Sequence, residues 1–302
     1  MGKGKGGGRQ ASRDMKAVSD GLQTERLFRF HFVIPPLPSS LDMPYPLSIA
    51  IISKNEEANL RRCLASTVGL AEEIVIVDSG STDGTAAVAA EYGARFAHQE
   101  WLGFSDQKNL CNSFCTQPWI LALDCDEELS PELLASIRAF FDQGQASRFD
   151  AAWMARRVLF LGRWIRHGDW YPDKKVRLFR RDKGRWEGHE NSQVHERLIV
   201  DGPHTTLKGD LYHYSFTDMR HYLDKHLSYT DVFADHEKAS GRGWSVVAVA
   251  FRPWWRFVRA YILRRGFLDG FPGFWIAVAT AFFTFMRYSR AYEAKVSRKA
   301  RD

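Results

Sequence analysis

Cysteine is scarce in this chain: it occurs four times in 302 residues, as Cys63, Cys111, Cys115 and Cys125, and never as a C-x-x-C pair. A zinc ribbon and a disulfide framework are thereby excluded, and a reducing compartment fits best. No G-x-G-x-x-G and no G-x-x-x-x-G-K-[ST] follows the first strand-like segment, which removes the dinucleotide-fold and P-loop readings. The opening residues, Met-Gly-Lys-Gly-Lys-Gly-Gly-Gly-Arg, hold no apolar core, so a secretory signal is not expected. The last apolar run, Gly270–Met286, is 17 residues long. That is short of the ~20 residues that a helix needs to span a bilayer.

What is present is charge, unevenly placed, and many aromatic rings. Of the net +6, Met1–Lys16 carries five basic residues against one acid and Arg252–Asp302 eleven against three, so the ends hold +4 and +8 and the middle 6 − 12 = −6. Basic ends suit an anionic membrane surface or nucleic acid, but an acidic middle argues against a nucleic-acid groove. With 45% apolar and 14% aromatic residues a large core is available. Residues 1–46, ending in the Pro-rich Ile34–Pro46, read as a flexible basic leader. An α/β body is expected over 47–235, with its two halves meeting near residue 130, and a basic aromatic helical tail over 236–302.

The stretch Pro118–Glu128 organises the body, because an apolar run, Trp119–Leu123, ends in Asp124, Asp126, Glu127 and Glu128. A core strand cannot carry those acids inward, so they mark its exit into a crevice. Side chains alternate along a strand, which sets Asp124 and Asp126 on one face, and two carboxylates there repel unless a cation sits between them. Mg²⁺ or Mn²⁺ with phosphate oxygens completing its shell is the simplest such cation. A plainer reading has the acids favouring a helix N-terminus that Ser130 caps ahead of Pro131.

Upstream, strands and helices alternate. Leu47–Ser53 and Glu73–Val77 read as buried strands, each followed by a polar turn and a helix, and Ala94–Ala97 and Ser105–Phe114 repeat the pattern. Such alternation implies a parallel sheet whose ligands collect beyond the carboxyl ends of its strands. The polar clusters at 53–57, 78–85 and 124–128 all fall at such ends. In the second, two glycines, four hydroxyls and two carboxylates suit a nucleotide pocket, with Asp78 accepting from a base imide or a ribose hydroxyl. The same residues also suit an ordinary loop in which Asp83 caps the next helix.

Taken together, LSIAIISKNEEANL, EIVIVDSGSTDGT and WILALDCDEELSPEL resemble the nucleotide-sugar half of an inverting family 2 glycosyltransferase of the Rossmann-like GT-A fold. GRWIRHGDWYPDKKVRLFRR (162–181) and VHERL (194–198) extend the resemblance toward the bacterial lipopolysaccharide core β-1,4-glucosyltransferases. The resemblance implies a nucleoside held by Ser53, Asn55, Glu56 or Glu57, Asp78, Ser79 and Gly80, with Lys108 and Asn109 near the donor. It implies that Asp124 and Asp126 hold a divalent cation on the diphosphate, with His213 as a third ligand; a histidine packed between Tyr212 and Tyr214 is the alternative. Family members often carry a second acid in the nucleoside loop, and here Ser79 stands in its place.

Inverting transfer needs a base for the attacking hydroxyl, and Glu196 is the first candidate, His195 the second. If the two lie on a strand, only one of them faces the site. Trp170 and Tyr171 offer ring faces and polar tips suited to a sugar acceptor, and Arg177 is expected to meet phosphate or an acid. In the tail, Trp244, Trp254, Trp255 and Trp275 with Arg252, Arg256, Arg259, Arg264 and Arg265 resemble an interfacial helix pair on anionic lipid. A packed helical subdomain or a homodimer seam are the plainer readings. The expected protein is a metal-dependent enzyme, peripheral on the cytoplasmic face of a bacterial inner membrane, moving glucose from UDP to a lipid-linked glycan. A polyprenyl-linked oligosaccharide or a protein acceptor would use the same machinery. A basic nucleic-acid-binding protein is the rival of another class, and it would have no use for Asp124 and Asp126.

Overall fold

The computed structural model describes residues 44–188, 196–216, 218–227 and 245–299. The expected leader therefore lies outside the described residues up to position 43. Strand β1 (Tyr45–Ser53), helix α1 (Glu57–Ala65), β2 (Ala71–Asp78), α2 (Thr85–Glu91), β3 (Arg95–His98), α3 (Phe104–Phe114) and β4 (Trp119–Asp124) follow the expected alternation. Then come β5 (Glu127–Leu129), α4 (Pro131–Asp142), β6 (Ala151–Phe160), β7 (Arg163–Trp164), β8 (Asp173–Arg180), β9 (Gly184–Glu187), β10 (Arg197–Val200) and β11 (His204–His213). Helices α5 (219–227), α6 (Val246–Val258) and α7 (Gly270–Lys299) close the described chain.

The main sheet runs β3-β2-β1-β4-β8-β6-β11-β5, with β7 on β6 and β9–β10 as a separate hairpin. Strands β3, β2, β1 and β4 are parallel, whereas β8 is antiparallel to both β4 and β6. Alternation along β1 explains why both faces are covered. Ile49 and Ile51 meet Leu60, Leu64, Ile137 and Phe140 of α1 and α4, while Ala50 packs in the cluster on the other side with Cys111 of α3 and Cys115 just after it. All four cysteines are buried free thiols. Ser130 does cap α4, accepting from the Leu133 N–H at 3.1 Å, with Pro131 next.

Register fixes the site. Ser53 pairs with Asp78 on β2, and Ile52 pairs with Asp124 on β4, so the three polar clusters open side by side. One expectation fails here: β4 ends at Asp124, and Asp126 lies in the turn leading to β5, so the two aspartates do not share a strand face.

The tail departs from expectation in two ways. The apolar run continues as one helix to Lys299, and Gly266–Arg290 is long and apolar enough by length and composition to cross a bilayer. Three of the arginines expected on lipid instead converge on buried Asp169: Arg256 at 3.2 Å, Arg264 at 3.1 Å and Arg259 at 4.0 Å. One face of α7 packs Ile276, Ala279 and Phe283 against Phe160, Ile165 and Tyr222. Just ahead of α7, the Asp269 side chain, 1% exposed, accepts from the backbone N–H groups of Arg166 (3.0 Å) and His167 (2.7 Å). Asp269→Ala would leave both donors without this acceptor, and should cost about 1–3 kcal/mol. A urea titration followed by tryptophan fluorescence checks this; a loss under about 0.5 kcal/mol would contradict the anchoring role.

Candidate active site

The first two loops are laced into one wall. Asp78, buried at the end of β2, accepts from the Ser53 hydroxyl (2.8 Å), the Gly80 N–H (2.9 Å) and the Ser81 N–H (2.7 Å), and also from the Ser81 hydroxyl. Gly80 takes φ +89° to allow that turn. Asn55, at φ 55°, donates its N–H to Ser81 Oγ and accepts from the Thr82 N–H at 2.8 Å. Glu57 accepts from the Gly84 N–H at 3.1 Å, and a Cβ on residue 84 would lie 2.4 Å from the Glu57 carboxyl carbon, so a side chain there would push that carboxylate aside. The choice between the two glutamates is thereby narrowed. Glu57 is bound into the loops, and Glu56 is the acid whose charge meets that of Asp126. Ser79 is buried, its hydroxyl accepting from Gln107 Nε2 at 3.1 Å, which directs it away from the crevice.

Asp124 is held by two cations. Lys108 Nζ lies 2.8 Å from Oδ1, and Arg177 Nη2 lies 2.5 Å from Oδ2. Burial alone would raise the Asp124 pKa, yet Arg177 and then Lys108 hold it well below the usual carboxylate range. Arg177 also reaches Glu127 at 2.6 Å, and Arg156 joins Glu127 (3.6 Å) to Asp173 (2.7 Å). This network bears out one expectation and bears on two assignments. Arg177 does meet acids, as expected, but at 4% exposure it lies beneath them rather than on an acceptor-sugar surface. Asp124, with an oxygen on each cation, does not form a ligand trio with Asp126 and His213; among the described residues no group of three or more His, Cys, Asp or Glu side chains is arranged for a metal.

Asp126 and His213 do meet, with His213 Nε2 at 3.2 Å from Asp126 Oδ2. Strand β11 delivers the histidine, and the Tyr214 N–H bonds the Asp126 carbonyl at 3.0 Å, which ties the turn to that strand's end. Burial pushes the Asp126 pKa up, but His213 outweighs it and the net shift is down. One carboxylate and one imidazole, with further oxygen donors from a phosphate, suit a hard divalent ion. Glu56 is shifted the other way: burial raises its pKa, a hydrogen bond from Asn59 opposes, and the charges of Asp126 and Asp83 add to the rise.

The remaining candidates divide. Glu196 Oε1 lies 3.1 Å from Lys108 Nζ, so one ammonium joins Asp124 to Glu196 across a long sequence separation. His195 lies outside the described residues. Asn109 is corrected: its amide donates to the Trp186 carbonyl and accepts from the Trp186 N–H, both at 2.8 Å, and so clasps α3 to β9. Trp170 is corrected too, since it packs against Phe160, Phe216 and Tyr222. Tyr171 donates to Asp210 at 2.8 Å, and Asp210 pairs with Arg157 at 2.6 Å. Trp164, which opens the aromatic segment 164–172 read as suited to sugar, stacks on Tyr212 with ring centroids 4.4 Å apart and meets Tyr214 edge-on at 5.4 Å, the two tyrosines flanking His213. Its position there depends on the β6–β7 pairing, which the sequence does not reveal.

Because its raised pKa means that the folded protein binds the Glu56 proton more tightly than the unfolded chain does, the ionised form opposes folding at neutral pH. Glu56→Gln should therefore raise the urea midpoint at pH 7, with the gain shrinking to nothing below about pH 4, where both forms are neutral. An unchanged or lower midpoint at pH 7 would show that Glu56 carries no such penalty.

Comparisons with known proteins identify the family. The family model described as Glycosyl transferase family 2 matches residues 48–193. The chain is 34% identical over 262 residues to the lipopolysaccharide core biosynthesis glycosyltransferase LpsC of Rhizobium meliloti, covering 82% of this chain and 92% of that one. It is 30% identical over 262 residues to an uncharacterized glycosyltransferase of Rickettsia typhi, covering 85% and 89%. Among solved structures, S. aureus TarS 1–349 in complex with UDP is 14% identical, with 82% and 91% coverage and a TM-score of 0.41. The α/β architecture is that of the GT-A fold, and the chain is a glycosyltransferase belonging to family 2.

Proposed function

We propose that this enzyme moves a hexose, glucose in the first instance, from a UDP-sugar to a lipid-linked glycan of the lipopolysaccharide core, with inversion. The observation that carries the reading is the meeting of Glu56, the Asp78 loop, Asp124 and the Asp126–His213 pair at adjacent strand ends. A relative named for lipopolysaccharide core biosynthesis, similar over most of both chains, supports the acceptor class.

In this reading the Asn55–Glu56 and Asp78–Gly80 loops hold the nucleoside, and Lys108 with Asp124 faces the ribose and diphosphate. Asp126 and His213 would hold the divalent cation, Mg²⁺ or Mn²⁺, which when bound supplies positive charge to the departing diphosphate. Glu196 takes the proton of the acceptor hydroxyl as that oxygen bonds to the anomeric carbon and the bond to UDP breaks. Trp164 and Tyr171 line the acceptor side, and ring faces suit sugar C–H surfaces. The tail rests on the cytoplasmic leaflet through exposed Phe251, Trp254, Trp255, Ile262, Leu263 and Phe271. Placed so, the site opens to an acceptor carried by the membrane.

Glu196→Gln should lower kcat by about 100-fold or more while leaving the affinity for UDP-glucose near wild type. Steady-state transfer of labelled glucose to a lipid-linked core oligosaccharide, with Mn²⁺ present, measures both. Wild-type kcat in this variant would remove Glu196 as the base.

A further inference from the structure

Helices α6 and α7 leave an apolar groove of about 580 Å³ between them, on the side of α7 that faces away from the catalytic body. Its lining recurs at helical spacing: Ala250, Pro253 and Trp254 on α6, and Val278, Ala281 and Phe282 on α7. Alanines on both walls with larger rings beside them shape a shallow groove that is wide open on one side. Trp254 is 57% exposed and Phe282 47%, so the groove is open along its length. Its volume lies within the ~300–1,000 Å³ range of small-molecule sites. No polar side chain lines it, so its occupant presents hydrocarbon there.

We infer that this groove takes a single acyl chain of an anionic lipid, seated beneath the headgroup layer. The inference rests on the membrane-facing reading above and deepens it from a surface to a site. Charge selects this occupant over a second copy of the chain. Arg252–Asp302 carries eleven basic residues against three acids, and with Arg256, Arg259 and Arg264 taken up by Asp169 eight basic residues remain, so a dimer built on this face would press two basic segments together, whereas an anionic amphiphile is drawn in. Arg252 marks the headgroup end: it is exposed, one turn from the groove residue Val249, and its guanidinium sits 4.8 Å from the Tyr288 ring centroid, just beyond Phe285.

The test uses the full-length protein and monomeric dodecyl phosphate below its micelle concentration, with hexyl phosphate as the short-chain control. Binding is read as the Trp254 contribution to fluorescence, defined by comparison with Trp254→Phe, and as quenching by a chain brominated near its end. Wild type should bind the long chain at least 10-fold more tightly than the short one. Ala281→Trp, which fills the groove, should lose that preference while still pelleting with anionic vesicles and hydrolysing UDP-glucose at the wild-type rate. Quenching of Trp254 in the unaltered protein keeps the test intact should Ala281→Trp fail to fold. Equal binding of the two phosphates, full retention of binding in Ala281→Trp, or a dimer in light scattering that the amphiphile does not compete with would each overturn the inference. Chain binding without transfer to any lipid-linked glycan would leave the groove standing and remove the acceptor assignment instead.

Discussion

The carboxylates at the carboxyl end of β4 are tolerable only because Arg177 and Lys108 reach them from two other elements. A buried acid without a partner costs several kcal/mol, and removing one member of a buried pair commonly costs about 3–5 kcal/mol. Here Asp124 and Glu127 share Arg177, Glu127 also meets Arg156, and Lys108 spans Asp124 and Glu196. The network therefore binds β8, α3 and the start of β10 to the tip of β4. It also divides the acids: those neutralised by arginine and lysine serve as foundation, and Asp126 with Glu56 keeps negative charge at the mouth.

That division gives function its physical basis. Burial is the main cause of the raised Glu56 pKa, with the charge of Asp126 adding to it; a divalent cation held by Asp126 and His213 would offset that repulsion. Register makes this possible, because Ser53 beside Asp78 and Ile52 beside Asp124 leave no freedom for the loops to open elsewhere. The hydrogen bonds that lace Asn55 and Glu57 to the 81–84 turn then hold both loops before any ligand arrives.

Much of this was legible beforehand. Continuous apolar runs ending in polar clusters specified β1, β2 and β4 with their order, and the strand–helix alternation specified the parallel half of the sheet. The individual acids were harder, since a two-residue spacing says that Asp124 and Asp126 share a face only if the strand continues, and it stops. Partners from distant sequence decided the rest: which acids Arg177 would meet, Asn109 on the backbone of Trp186, Trp170 in an aromatic cluster and Trp164 stacked on Tyr212. Composition likewise showed a basic aromatic tail, but not that Asp169 would collect three of its arginines. Periodicity reports which face of an element is apolar; long-range charge pairing leaves no local signal.

The central claim is that Asp126 with His213, rather than Asp124, forms the cation's protein ligand set. Electron paramagnetic resonance of Mn²⁺ titrated into the protein with UDP tests it most directly. The account predicts that Asp126→Asn abolishes UDP-dependent Mn²⁺ binding and that Asp124→Asn keeps the bound-metal spectrum of the wild type. A bound-metal spectrum lost in Asp124→Asn but unchanged in Asp126→Asn would contradict it.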